Sequence, residues 1–322
     1  MSGGALQSIK TFAALLFMFC WSAAWAAEAA RVTVPVKPIQ VGPHSYYVQG
    51  LPGSPSAENQ GYMSNAGFVI TRDGVVVFDA LGTPPLGERL IQEIRKLTKQ
   101  PIKRVIVSHY HADHIYGLQA FKAVGAEIWA HRDGQQYLNS EVAEQRLAQR
   151  REALFPWVDE NTKTLPADRW LDGPLSFTMG GLHFDLMHLG PAHSPEDLAM
   201  FVREDGVLYS GDVVFKGRVP FVGSADTRQW LAALDKIAAM KPKVFVPGHG
   251  EAARDALETI RFTQEYLTFV RTEMGKAVKD LVPFDEAYAT TDWSRYRNLP
   301  AFDATNRANA YNIYLQMERE SM

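Results

Sequence analysis

The chain has 322 residues, 46% of them hydrophobic and 21% charged, a composition that fills a globular core and excludes the disordered and collagen-like classes. Lys and Arg number 33 against 36 Asp and Glu, a net charge of -3 that offers no basic field for a phosphate backbone, so no nucleic-acid partner is expected. In chain order, the first segment is 1–26. It has Lys10, then an apolar run over 11–21, and it closes on Ala24-Trp25-Ala26, the small-x-small pattern that a signal peptidase cuts. This predicts export to the periplasm or beyond, with cleavage after Ala26. The run is shorter than the ~20 apolar residues of a spanning helix, so no stable membrane anchor is expected. The single cysteine, Cys20, leaves with this segment, and the loss of Lys10 takes the charge from -3 to -4. A chain without thiols cannot be held by disulfides, and it must bind any metal through His and carboxylate.

Residues 46–49, 66–70 and 75–79 are short β-branched or aromatic runs parted by Gly, Pro, Ser and Asn. They predict a meander of antiparallel strands, with Thr71-Arg72-Asp73-Gly74 as a hairpin turn. Leu90, Ile91, Ile94 and Leu97 fall at helical spacing within 87–97. A strand is expected at 104–108, a helix at 115–124, a strand at 127–130 and a polar helix over 132–154. Strands follow at 175–179, 182–189, 198–202 and 207–210. Asp226, with Gln229 three residues on, resembles a capping box for a helix that runs to about Met240. The last strand is 243–246, residues 252–279 are largely helical, and a Pro-containing turn leads to a final helix near 304–319. No linker rich in Gly or Ser divides the chain, so 27–322 is expected to form one α/β domain of two packed sheets with helices outside.

The chemistry concentrates in Ser108-His109-Tyr110-His111-Ala112-Asp113-His114, at a strand-to-helix turn. Positions two apart in extended chain face one side, so His109 and His111 can grip one ion, while Asp113 and His114 can point toward a second. Imidazole with carboxylate suits zinc, with iron or manganese as alternatives. Three further candidates each stand just beyond a predicted strand. They are His193 in Gly190-Pro191-Ala192-His193-Ser194, Asp212 in Ser210-Gly211-Asp212, and His249 in Pro247-Gly248-His249-Gly250. The neighbouring glycines let the chain turn tightly and present a side chain inward.

This ordered set, His-x-His-x-Asp-His, then a later His, a Gly-Asp and a terminal Gly-His, resembles the metallo-β-lactamase superfamily over 41–251. The resemblance implies a four-layer αβ/βα sandwich with a two-metal site at one edge, and it leaves 252–322 as a helical extension. It implies that His109, His111 and His193 bind one metal, that Asp113, His114 and His249 bind the other, and that Asp212 bridges both. Asp79 looks like the aspartate that orders the metal loop without binding metal. Two zinc ions per chain, a water oriented by Asp113, and hydrolysis of an amide, ester or thioester carbonyl in a small molecule follow from the same likeness. Asp212 stands where several true β-lactamases carry Cys, which looks like glyoxalase II and related broad hydrolases, whereas export favours β-lactams. Asn59-Gln60-Gly61 and the surroundings of 109–114 are similar to secreted metallohydrolases of sulfur-oxidation and quinoprotein systems. The alternative within this fold is an oxidoreductase with a single iron that oxidises persulfides.

Residues 51–67 make a long loop, expected as a lid beside the metals, with Tyr62 in reach of substrate. Lys216 and Arg218, just past Asp212, are candidates to pair with a substrate carboxylate. His44, His131, His183 and His188 lie outside the ordered motif and are taken as structural or surface residues. The charged helix 141–151 is expected to be a solvated face, and Trp157 and Trp170 to cover the core or a helix seam.

Overall fold

The computed structural model describes residues 30–322, and the expected signal segment 1–26 lies outside the described residues. The first sheet has seven strands in chain order: β1 (Pro38–Gln40), β2 (Ser45–Val48), β3 (Ala66–Ile70), β4 (Val75–Phe78), β5 (Ile102–Ile106), β6 (Glu127–His131) and β7 (Arg169–Leu171). Strands β1 to β4 pair antiparallel and β4 to β7 parallel. The second sheet has five: β8 (Leu175–Met179), β9 (Leu182–His188), β10 (Leu198–Val202), β11 (Val207–Tyr209) and β12 (Val244–Val246). It is antiparallel from β8 to β11, and β11 and β12 run parallel.

Three apolar cores fix the layering. One face of the first sheet packs Phe68, Val77 and Val105 against Leu90 of α1 (Pro84–Leu97) and Phe121, just beyond α2 (Ala112–Ile115) on α3 (Leu118–Ala123). The other face meets the second sheet, with Val69, Val76 and Ile106 opposite Phe184, Met200 and Val207. Phe245, on the far side of the second sheet, packs with the helical residues beyond it. Strand β4 is buried along its whole length because apolar layers cover both its faces, and it reads Val-Val-Val-Phe without alternation. Edge strand β8 alternates half-buried and exposed residues. Each fully buried Leu or Phe contributes ~1.5–3 kcal/mol, so the apolar faces dictate this four-layer stack.

Several boundaries differ from the expected ones. The strand expected at 104–108 ends at Ile106, which frees Val107 and Ser108 to turn into the histidine cluster. The helix expected at 115–124 is two short helices parted at Gly117, where a Cβ would meet the Ala80 carbonyl oxygen at 1.9 Å. The helix expected over 132–154 breaks into α4 (Gly134–Leu138) and α5 (Glu141–Ala153), because Ser140 caps a new start by accepting from the Ala143 N–H. Leu97 is 48% exposed, so the buried stripe of α1 stops at Ile94. Asp226 caps α6 (Thr227–Ala239), accepting from the Gln229 N–H at 3.0 Å. Trp157 and Trp170 are only half-buried, and the wholly buried tryptophan is Trp230 on α6.

The C-terminal region forms α7 (Ala256–Lys279), α8 (Phe284–Thr290) and α9 (Phe302–Ser321). Trp230 of α6, Tyr266 of α7 and Ile313 of α9 share the second sheet's outer core. Among the described residues no helix is long and apolar enough to cross a membrane.

Candidate metal centre

The expected donors all follow strand ends at one edge of the sandwich. His109 and His111 lie in the turn after β5, and Asp113 and His114 lie in α2. His193 lies in the loop after β9, Asp212 in a 3-10 turn (Gly211–Val213) after β11, and His249 just past β12. Their side chains converge. His114 Nε2 is 3.2 Å from Asp212 Oδ1, and His249 Nε2 is 3.3 Å from both Asp113 Oδ2 and Asp212 Oδ2. His193 Nε2 is 2.9 Å from His111 Nδ1 and 3.6 Å from Asp212 Oδ2. Within 4.8 Å the donor atoms form three groups: His109 with His111 and His193; Asp113 with His114 and His249; and His109 with His114 and Asp212.

The far nitrogens of three of these imidazoles are held. His109 Nδ1 lies 2.8 Å from Ser108 Oγ, His114 Nδ1 lies 2.8 Å from Asp79 Oδ2, and His249 Nδ1 lies 2.8 Å from the Met63 carbonyl oxygen. With Nδ1 donating outward, each Nε2 turns a lone pair inward, the arrangement that outer partners impose on metal-binding histidines. Asp79 is not among the converging donors. It accepts from the Ser108 N–H and hydroxyl as well as facing His114.

The inward face is left unpartnered. His109 Nε2, His114 Nε2 and Asp212 Oδ1 are buried and have no hydrogen-bond partner. Orphaned buried donors and acceptors are rare in a native fold and call for an occupant. Burial pushes the His109 and His111 imidazoles well below their ordinary range and His193 down to about 4. Burial also opposes charge on Asp113 and Asp212, yet the surrounding histidines hold both carboxyls well below their ordinary value. For His114 and His249 burial is outweighed by the carboxylates, Asp212 foremost, and both are raised. The ionised carboxylates and the lowered imidazoles of His109, His111 and His193 are in the forms that take a divalent cation, binding of which would displace the proton that the carboxylates favour on His114 and His249; nitrogen with oxygen donors suits zinc.

A cavity of about 150 Å³ opens at this cluster, lined by His111, Asp113, Asp212 and His249 and also by Ser54 and Thr305. A second cavity of about 240 Å³ adjoins it across Met63, Arg218 and His249. Lys216 lines only this second cavity, whereas Arg218 lines both. Tyr62 does not meet substrate space: it is 1% exposed within the first core, and its neighbour Met63 lines the cavity instead. A loop has no period from which to tell which of two adjacent side chains turns inward. Helix α5 is not wholly a solvated face either, because Arg146 and Arg150 reach the cavity wall. His183 is exposed, while His131 and His188 stack at 3.6 Å away from the donor cluster.

Other supporting residues carry no local signal in the sequence. Asn65 donates through Nδ2 to the carbonyls of Pro247 and Gly250, at 2.8 and 2.7 Å, and so ties the 51–67 loop to the His249 turn. Asp197 accepts from the Ser194 N–H and hydroxyl, both at 2.8 Å, and sets the loop that carries His193. Trp230 donates to the Val213 carbonyl at 2.8 Å and places its ring 5.2 Å from that of His193.

A family model described as the metallo-beta-lactamase superfamily matches residues 59–249. A linear primary-alkylsulfatase from Pseudomonas sp. is 24% identical over 238 residues, 62% of this chain and 44% of its own length. The hydroxyacylglutathione hydrolase GloC of Haemophilus influenzae is 33% identical over 135 residues, 41% of this chain and 58% of its own. The chain thus spans about half the length of these two relatives. Among solved structures, the inverting sec-alkylsulfatase Pisa1 from Pseudomonas sp. superposes with a TM-score of 0.68 at 17% identity, over 87% of this chain and 50% of that one.

Proposed function

The chain belongs to the metallo-β-lactamase superfamily, and from that premise we propose that it is an exported hydrolase that works through two divalent cations. The observation that carries the proposal is the unpartnered inward face of the donor cluster, on side chains drawn from four separate stretches of sequence. His109, His111 and His193 would hold one cation, Asp113, His114 and His249 the other, and Asp212 reaches both sets. Zinc is the metal that these donors favour. When bound, such a cation polarises the scissile group and lowers the pKa of water toward ~7.

The chain's own residues supply position. Asp113 lines the cavity with 14% of its side chain exposed, so its carboxylate can accept a hydrogen bond from an attacking water and orient it. Ser108, Asp79 and the Met63 carbonyl lock three imidazole rings, so the donor set does not reorganise during reaction. Phe215 and Phe221 give the cavity an apolar wall that limits water on that side. The bond cleaved is an ester, thioester or amide. The likeness to an alkylsulfatase and to a hydroxyacylglutathione hydrolase adds sulfate esters and glutathione thioesters to the substrates to test, and export adds β-lactams.

The purified protein should carry close to two zinc ions, and His111→Ala should lose metal and hydrolysis together. A chromogenic cephalosporin, a glutathione thioester and an alkyl sulfate assayed side by side would assign the bond. Full activity with no bound metal, or a single iron with oxygen consumption in place of hydrolysis, would overturn the proposal. Export is checked separately by N-terminal sequencing, which should find Ala27 first.

A further inference from the structure

Three guanidinium groups face the cavity above the donor cluster. Arg146 and Arg150 stand one turn apart on α5, and Arg218 follows the Asp212 turn. Arg218 is 7% exposed. One of its terminal nitrogens, Nη1, donates to the Gly53 carbonyl at 3.2 Å and lies 3.4 Å from His249 Nδ1, while Nε is buried with no partner. Arg146 and Arg150 are half-buried, and among the described residues neither has a carboxylate within ion-pair reach. Other arginines of the chain are paired: Arg89 with Glu93, Arg203 with Asp185 and Arg271 with Glu320. Desolvated cations without an anion are unfavourable unless a ligand supplies the opposite charge.

The two carboxylates on this wall, Asp113 and Asp212, form no ion pair with the three guanidinium groups. Both turn to His249, and Asp212 also to His114. Three guanidinium charges therefore face two carboxylates whose nearest charged neighbours are the histidines. Any divalent cation held by the cluster makes the cavity more positive still, so a neutral substrate would leave that charge unbalanced. Guanidinium matches an oxyanion in both charge and fork geometry.

We propose that this cavity selects a substrate bearing an oxyanion group, whether sulfate, phosphate or carboxylate, and that Arg146, Arg150 and Arg218 hold that group beside the metal ligands. The proposal deepens the hydrolase assignment and rests on it for the word substrate. The anion site itself can be tested by binding alone.

The metal-loaded protein is titrated calorimetrically with sodium sulfate, sodium phosphate and sodium acetate at low ionic strength, since salt screens such contacts. The wild type should bind one anion per chain. Arg146→Gln and Arg150→Gln should each weaken binding about tenfold, the scale of one lost charge-assisted contact. Arg150→Lys should recover part of the affinity. Tighter binding of sulfate or phosphate supports a tetrahedral head group, and tighter binding of acetate supports a carboxylate. Metal content and melting temperature, measured on every variant, separate loss of the clamp from loss of the metal or the fold. No anion binding by the wild type, or equal affinity in wild type and both Gln variants, overturns the proposal. If anion binding and its loss in Arg150→Gln hold while no ester, thioester or amide is cleaved, the hydrolase assignment falls and the anion site stands.

Discussion

The Asp79 carboxylate lies 2.8 Å from Nδ1 of His114 and accepts the Ser108 N–H and hydroxyl at 2.7 and 2.8 Å, so one buried side chain aligns both the turn before the histidine cluster and the ring at its end. The backbone of Asp79 has φ +64, a left-handed conformation that Asp and Asn tolerate better than other residues with side chains. Asp79→Asn therefore removes the charge and one acceptor while keeping the backbone. Loss of such an outer partner typically lowers metal affinity about 10- to 100-fold. A competition titration against a chromophoric chelator should show that loss with the fold intact by circular dichroism. Unchanged affinity would mean that Asp79 only braces the loop.

Gly248 has no room for a side chain. A Cβ there would lie 2.1 Å from Asp212 Oδ1 and 2.6 Å from the Gly211 carbonyl carbon. Gly248→Ala must push Asp212 aside, so bound metal and hydrolysis should fall together. Overpacking of this kind costs about 1–3 kcal/mol. At roughly 2–4 °C per kcal/mol, the melting temperature should drop by several degrees. Gly173, with nothing within 4 Å of its Cβ position, is the control, and Gly173→Ala should leave metal content unchanged.

Strand β3, strand β8 and the seven donors are legible in the sequence because hydrophobic runs, four ligand-type side chains within six residues, and an acid or histidine near glycine just after a strand are local signals. What surrounds the donors is not local. Residues 141–153 have no apolar stripe, so nothing in them says which charged face turns inward; only the fold sets Arg146 and Arg150 beside His111 and Asp113. Asn65 and Gly248 likewise meet through a contact spanning more than 180 positions, and the Asn65 N–H donates to the Gly248 carbonyl at 2.7 Å. The breaks at Gly117 and Ser140 turn on close packing and on a capping hydroxyl, which hydrophobic periodicity does not encode.

Away from the site, Glu93 on α1 predicts an acid-dependent contribution to stability. Its carboxylate, with 10% of the side chain exposed, accepts from Arg89 Nε at 2.7 Å and from Lys96 Nζ at 2.8 Å. Burial raises this carboxyl, but the hydrogen bonds from Lys96 and Arg89 outweigh it and hold the group below its ordinary value. A folded value that is depressed stabilises the native state above the unfolded value, ~4.3 for Glu, and that gain fades as pH falls through the folded value. Both partners are well exposed, so the gain is at most ~1 kcal/mol. Glu93→Gln should melt a few degrees lower than wild type at pH 7, and the gap should close on acidification below about pH 4. A gap that persists undiminished in acid would assign the loss to packing.

The C-terminal extension reaches the site through Asn309 on α9. Its Oδ1 accepts from the Val222 N–H at 2.9 Å, and its Nδ2 donates to the Pro220 carbonyl at 2.6 Å, which clamps the loop between Arg218 and Gly223. That loop carries Phe221, whose ring centre is 5.8 Å from that of His111. Asn309 is 1% exposed, so Asn309→Ala leaves a buried N–H and a buried carbonyl without partners, at about 1–3 kcal/mol each. The loop should then loosen and move Phe221 and Arg218 while leaving the metal donors, which hang from other elements, in place. KM on any ester the wild type turns over should rise several-fold with metal content unchanged, and the melting temperature should fall. Asn312→Ala, which removes one half-buried bond to the Gly223 carbonyl, should do the same more weakly. A lower melting temperature with KM unmoved would reduce α9 to a cover for the second sheet; a loss of metal along with KM would tie it to the donor cluster instead.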